Sequence, residues 1–146
     1  MSAPATLKFK PSSQALARVD AAALALRIGL ATMWLSHSIL LKLMTFGMAG
    51  FSGWLTSIGW PSVLAYPVVI AEVLGGLAIL VGYRGALASL LLQPILLGAL
   101  VIHAGNGWVF SSPNGGWEYP AFLMLASLVH MLLDDGRYAL RVERRG

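Results

Sequence analysis

Between Val63 and Ile102 the only charged residues are Glu72 and Arg84. That stretch holds two candidate membrane spans, about 63–82 and 85–103, divided at Gly82–Arg84. Each is close to the ~20 apolar residues that an α-helix needs to cross a hydrocarbon core. Lipid offers the backbone no hydrogen bonds, so such runs are read as helices that satisfy their own amides. Two further spans flank them. The first covers about 21–44, and the last, about 117–133, is near the lower length limit for a ~30 Å core.

Composition points the same way. The chain has 146 residues, 58% of them hydrophobic and 11% charged, and its mean hydropathy is +0.75. A soluble domain carries about a quarter of its residues as charged ones, so too few remain here to coat a body of this size. The expected fold is all-α: an integral membrane four-helix bundle, one domain over 21–133. Residues 1–20 are then a cytoplasmic N-terminal segment, polar and disordered at its start, and 134–146 a cytoplasmic basic tail. Ser12 or Ser13 is placed to cap the first helix. A cleavable signal peptide is disfavoured, because the first run is too long, contains Arg27 and lacks a small-residue cleavage site near Ser36-His37-Ser38.

The connections differ in character. Phe46 to Pro61 carries Phe51, Trp54, Leu55 and Ile58 at helical spacing, which predicts a short helix lying in the interface, with a turn-rich loop as the alternative. Gly105 to Glu118 holds the turn signals Ser112-Pro113-Asn114-Gly115-Gly116. Basic residues set the orientation. Lys8, Lys10, Arg18, Arg84, Arg137, Arg141, Arg144 and Arg145 fall on one side, and Lys42 stands at the edge of the other. By the positive-inside rule both termini face the cytoplasm of a bacterial inner membrane. Trp54, Trp60, Trp108 and Trp117 then form an outer aromatic belt.

Several function classes fall away. There is no cysteine, which removes disulfides, thiol cycling and thiolate-held clusters. No P-loop, dinucleotide fingerprint or nucleophile elbow is present. The net charge of +4 reflects chain ends and one inner loop rather than a basic groove interleaved with aromatics, so nucleic acid is not an expected partner.

Charged groups at membrane depth cost several kcal/mol by insertion scales unless paired or used. At a 1.5 Å rise per residue, Arg27 lies about 9 Å, Gln93 about 12 Å and Glu72 about 15 Å from the inner surface. Arg27, Glu72 and Gln93 are therefore expected to meet in one buried polar network. That network reads either as a structural ion pair or as a carboxyl beside an apolar ligand. Ala71 and Gly75, and Glu72 and Gly76, give α-helical faces on which a neighbour can come close. Toward the outer surface, His37, Lys42, His103, Asn106, Trp108 and Glu118 are expected either to line a polar pocket for the head of an amphipathic molecule or to close the bundle. Their spacing carries no metal-ligand signature, and no metal is expected. Glu72 and His103 are the candidate catalytic groups. His130 reads as a lone structural residue, and Gln93-Pro94 as a kink that frees a carbonyl.

In order and spacing, Arg27, His37, Lys42, Gly59-Trp60-Pro61, Glu72-Val73-Leu74-Gly75-Gly76, Gly82 and Arg84 resemble the DoxX family of small bacterial membrane proteins. His103-Ala104-Gly105-Asn106-Gly107, Gly115-Gly116-Trp117-Glu118-Tyr119-Pro120 and Gly136-Arg137-Tyr138-Ala139-Leu140 extend the likeness. Two departures stand out: Ser38 replaces the glycine usual after the helix-one histidine, and Asp134-Asp135 precedes the tail glycine. The resemblance implies a four-helix bundle and quinone-linked redox processes, with a quinone as ligand and no other cofactor evident. Three functions follow as expectations: a quinone-linked redox subunit, a non-catalytic anchor or accessory subunit of a larger redox or respiratory complex, and a carrier for a small apolar molecule. Carriage by four helices without a repeat would require a homo-oligomer.

Overall fold

The computed structural model describes residues 11–140. Expectations for Lys8, Lys10, Arg141, Arg144 and Arg145 lie outside that range. Every regular element among the described residues is helical. Helix α1 (Ser13–Leu35) starts at the Ser12 cap, whose hydroxyl accepts from Ala15 N at 3.2 Å. It runs without a break into a π-helical segment, Ser36–Thr45. Next come α2 (Gly47–Ser57), a 3-10 turn at Ser62–Leu64 and α3 (Ala65–Val81). Helices α4 (Gly85–Leu91) and α5 (Gln93–His103) are two halves of one rod, followed by a 3-10 turn at Ala104–Asn106 and by α6 (Glu118–Leu133).

Three of these rods, Ser13–Thr45, Ser62–Val81 and Gly85–Asn106, are long and apolar enough to cross a membrane. The Glu118–Leu133 helix is shorter, about 24 Å at 1.5 Å per residue. Helix α1 packs on α3 and α6, α4 on α3 and α6, and α5 on α6, so the four rods close on themselves. Leu30, Ala31, Trp34, Ile79, Leu92, Leu96 and Leu123 fill the centre. Outward faces carry exposed Ile70, Leu74, Leu97, Val101, Leu125 and Leu132. A surface of that kind suits lipid contact and would aggregate in water. The chain is an all-α membrane helical bundle.

Small residues bring the rods together. A Cβ on Gly76 would meet Leu35 and Trp34 side-chain atoms at 3.0–3.1 Å, and one on Gly75 would meet Leu92 Cδ1 at 2.6 Å. The helical spacing in the first connection produces α2, whose buried Phe51 and Leu55 pack with Ala65 and Val69 of α3. Pro94 follows the break at Leu92 between α4 and α5. One carbonyl at that break, Ser89 O, receives the Gln93 side-chain amide at 3.4 Å.

At the end of the bundle where the described chain begins and ends (the terminal end), Arg27 is 1% exposed and takes a role different from the expected one. Its Nε donates to Ile79 O at 2.9 Å, Nη2 to Leu80 O at 2.7 Å and Nη1 to Asp135 O at 3.1 Å. The last carbonyls of a helix have no partner within it, and the guanidinium supplies one. The expected network of Arg27, Glu72 and Gln93 does not form. Ile79 lies seven residues beyond Glu72 on α3, about 10 Å along the axis, so Arg27 sits at the helix end and not beside the carboxylate. Gly82 makes room for it: its φ is +72°, and a Cβ there would come within 2.6 Å of Arg27 Cζ and Nη2 and of Ala139 Cβ. Gly82→Ala is therefore expected to lower unfolding stability by about 1–3 kcal/mol. Denaturation followed by circular dichroism in detergent would measure it, and a native-like midpoint would mean that the Arg27 seat is slack.

Candidate functional site

A cavity of about 1100 Å³ lies between α1 with its π segment, α2, α3, α5 and α6. Most of its wall is apolar, from Trp34, Trp54, Trp60, Leu96 and Leu123 among others. Trp60 covers Gly98 of α5, where a Cβ would stand 3.4 Å from the ring. Polar groups converge on the same space: Lys42, Glu72, His37, His103 and Tyr119 all line it.

Lys42 and Glu72 form the strongest contact there. Lys42 Nζ donates to Glu72 Oε1 at 2.6 Å and to Oε2 at 2.7 Å. The glutamate side chain is 2% exposed and the lysine side chain 15%. The π segment explains why they meet. Its hydrogen bonds run from i to i+5, as in Phe46 N to Leu41 O at 3.0 Å, so residues five apart share a face. His37 and Lys42 stand one such turn apart and both face the cavity. Helix α2 adds a floor under the ammonium, with Lys42 Nζ 5.2 Å from the centre of the Phe51 ring.

Both cavity histidines are held by their own helix. His37 Nδ1 lies 3.1 Å from Met33 O, and His103 Nδ1 lies 2.7 Å from Ala99 O. A carbonyl only accepts, so each Nδ1 carries the proton and each Nε2 is left as an acceptor. His37 also stacks on Tyr119 of α6, with ring centroids 5.8 Å apart. His103 abuts Gly115, whose added Cβ would be 3.2 Å from the imidazole. Ser38 is buried and donates to Trp34 O at 2.7 Å, so it fits without leaving a polar atom unpaired.

Three of the six expected pocket residues serve the loop beyond α5 instead. Glu118 Oε1 accepts from Phe110 N at 2.8 Å, and Asn106 Nδ2 donates to Asn114 O at 3.1 Å. Trp108 packs edge-on against Trp117, with ring centroids 4.4 Å apart. An irregular loop must find partners for its own backbone; Glu118 and Asn106 provide two of them, and the Trp108–Trp117 pair packs the loop's rings together. Gln93 is also apart from the cavity, donating to Ser89 O and Met124 O at 3.4 Å each. His130 is not alone. Its Nδ1 is 2.8 Å from Ser89 Oγ, and its Nε2 is 3.3 Å from Asp135 Oδ1. Tyr119 and Asp135 were not among the site residues expected from the sequence; aromatic residues at span ends and acidic residues at helix ends are too common to signal a site.

Among the described residues no group of three or more His, Cys, Asp or Glu could hold a metal ion. Fold and site together define a small polytopic helical membrane protein with an apolar cavity and a buried ion pair in its wall. The DoxX family model matches residues 22–105, and the chain belongs to that family. Comparisons with curated proteins and with solved structures give no match.

Proposed function

We propose that this protein binds a quinone-like amphipathic molecule between its helices and serves as the membrane subunit of a quinone-linked redox system. The observation that carries the reading is the cavity of about 1100 Å³ with a Lys42–Glu72 pair, two histidines and Tyr119 in an otherwise apolar wall. Ligand sites commonly have this composition, with few polar groups orienting a mostly apolar guest. Lys42 Nζ and the Tyr119 hydroxyl donate hydrogen bonds to a carbonyl oxygen, and Glu72 accepts from a hydroxyl, so both redox forms of a quinone find a partner. Electrons come from a partner protein in this reading, because the chain offers no thiolate for a cluster.

The reading places the protein in the bacterial cytoplasmic membrane, with four crossings, α6 being the shortest. Arg18, Arg84 and Arg137 lie at the terminal end of the bundle, which supports a cytoplasmic position for both termini by the positive-inside rule. The cavity then lies toward the outer leaflet. The loops at that side, 58–61 and 107–117, hold no lysine or arginine.

Trp34, Trp54 and Trp60 line the cavity, so ligand occupancy is readable by tryptophan fluorescence. Titrating a short-chain ubiquinone analogue into the purified protein in nanodiscs is expected to give saturable quenching. His103→Ala, which removes one free Nε2, is expected to raise Kd roughly tenfold, a loss of about 1.4 kcal/mol. Quenching without saturation would remove the quinone reading and leave that of a non-catalytic anchor.

A further inference from the structure

Below the cavity floor the bundle turns polar where it is deepest. Leu96 and Leu123 form part of that floor on facing helices. Toward the terminal end, Gln93 and Ser89 follow Leu96 at spacings of three and seven. Ser127 and His130 follow Leu123 at four and seven. Such spacings keep each set on one helix face, and α6 packs against both α4 and α5. Ser89, Ser127 and His130 are fully buried.

The two faces are cross-linked. Ser89 Oγ meets His130 Nδ1 at 2.8 Å, and Gln93 Nε2 reaches Met124 O at 3.4 Å. Yet three buried atoms of the strip, Gln93 Oε1, Ser127 Oγ and His130 Nε2, have no hydrogen-bond partner among the described residues. His130 Nε2 is 3.3 Å from Asp135 Oδ1 but lacks hydrogen-bond alignment. A fourth such atom, Trp34 Nε1, belongs to a cavity-lining residue. Each unpartnered buried atom costs about 1–3 kcal/mol. Leucine and alanine would pack two helices without that cost. A run of polar atoms with free hydrogen-bonding capacity is what internal water requires, typically two to four partners per molecule.

The strip ends on a fixed acid. Asp135 accepts from Gly85 N at 2.8 Å and Ala86 N at 3.0 Å. It lies at the edge of the bundle, 9% exposed. The charged groups near His130 are Asp135, Asp134 and Arg27.

We propose that Gln93, Ser127, Ser89, His130 and Asp135 form a water-holding proton route between the terminal-end surface and the cavity floor. A proton taken up at one ring nitrogen of His130 is matched by one released from the other. The hydroxyls of Ser89 and Ser127 accept and donate in turn, and Gln93 Oε1 orients water next to the floor. Only N–H and O–H bonds are exchanged, and one proton leaves for each that enters. The distance from the level of Leu123 to that of His130 is about 10 Å. The route stands on the packing of α4, α5 and α6 and is independent of which ligand fills the cavity.

The test is hydrogen exchange by NMR on the ¹⁵N-labelled full chain in nanodiscs, with His130→Gln and Trp34→Phe to assign the two signals. In the native protein the His130 ring proton is expected to exchange rapidly with water and to show magnetisation transfer from it. Ser127→Val puts a larger, apolar group across the strip and is expected to slow exchange at the Trp34 indole, on the cavity side of the plug, by roughly an order of magnitude or more, while His130, on the surface side, stays near its native rate. Its melting temperature should stay close to native. A His130 ring proton that exchanges over hours in the native protein would overturn the route, as would an unchanged Trp34 indole rate in folded Ser127→Val. Quinone titration of the same samples is a separate readout: its failure would not move the His130 exchange rate.

Discussion

Arg27→Met is expected to be the most damaging single substitution in this protein, costing about 3–5 kcal/mol of unfolding stability. Arg27 is 1% exposed, and its guanidinium serves Ile79 O, Leu80 O and Asp135 O. Methionine fills similar volume but donates nothing, so Leu80 O and Asp135 O lose their partner together and Ile79 O keeps only Gly82 N at 3.2 Å. The loss spreads further because Asp135 also holds the start of α4 through Gly85 N and Ala86 N. One arginine therefore ties α1, α3, the α3–α4 turn and the segment after α6. Arg27→Lys keeps the charge but has no planar fork, and it is expected to recover less than half of the loss. Unfolding in mixed micelles with rising SDS, followed by circular dichroism, would give the midpoints. If Arg27→Met unfolds within about 1 kcal/mol of native, the carbonyls find other donors and the latch is not there.

What the sequence reveals and what it hides divide along physical lines. The rods were legible because a helix in lipid needs a long apolar run, and Val63–Ile102 supplies two with Gly82 and Arg84 between them. Helix α2 was legible from the spacing of Phe51 and Leu55, which the structure buries against α3. The partner of Glu72 was not. Counting depth from helix ends put Arg27 within reach and left Lys42 at the edge. That count assumes α-helical phase throughout, and the switch to i→i+5 bonding from Ser36 to Thr45 has no compositional signature. Likewise the polar residues of 106–118 looked like pocket groups. Whether a loop side chain faces a ligand or its own backbone depends on a chain path that spacing does not encode. Asp135 serves α4 from beyond α6, across 49 or 50 positions of sequence. Helix caps of such long range leave no local trace.

The second large effect concerns Lys42 and Glu72, and it separates a structural pair from a ligand-handling one. Glu72→Gln leaves an ammonium without its counter-charge, and Lys42→Met leaves a carboxylate that is 2% exposed. Each is expected to cost about 3 kcal/mol, the low end for a broken buried pair, because the lysine side chain keeps 15% of its surface open. The double variant Lys42→Met/Glu72→Leu removes both desolvation penalties and places apolar groups in an apolar wall. It is expected to return to within about 1 kcal/mol of native stability, since buried pairs are often replaceable by well-packed hydrophobic residues. Stability is thus recoverable without the charges, and ligand binding is the readout that remains. In the quinone reading the stable double variant has no donor from Lys42 and no acceptor from Glu72, and saturable quenching by the ubiquinone analogue should disappear. A double variant that is stable and binds as tightly as the native protein would confine the pair to holding α3 against the π segment, and the ligand head would then have to rest on His37, His103 and Tyr119 alone.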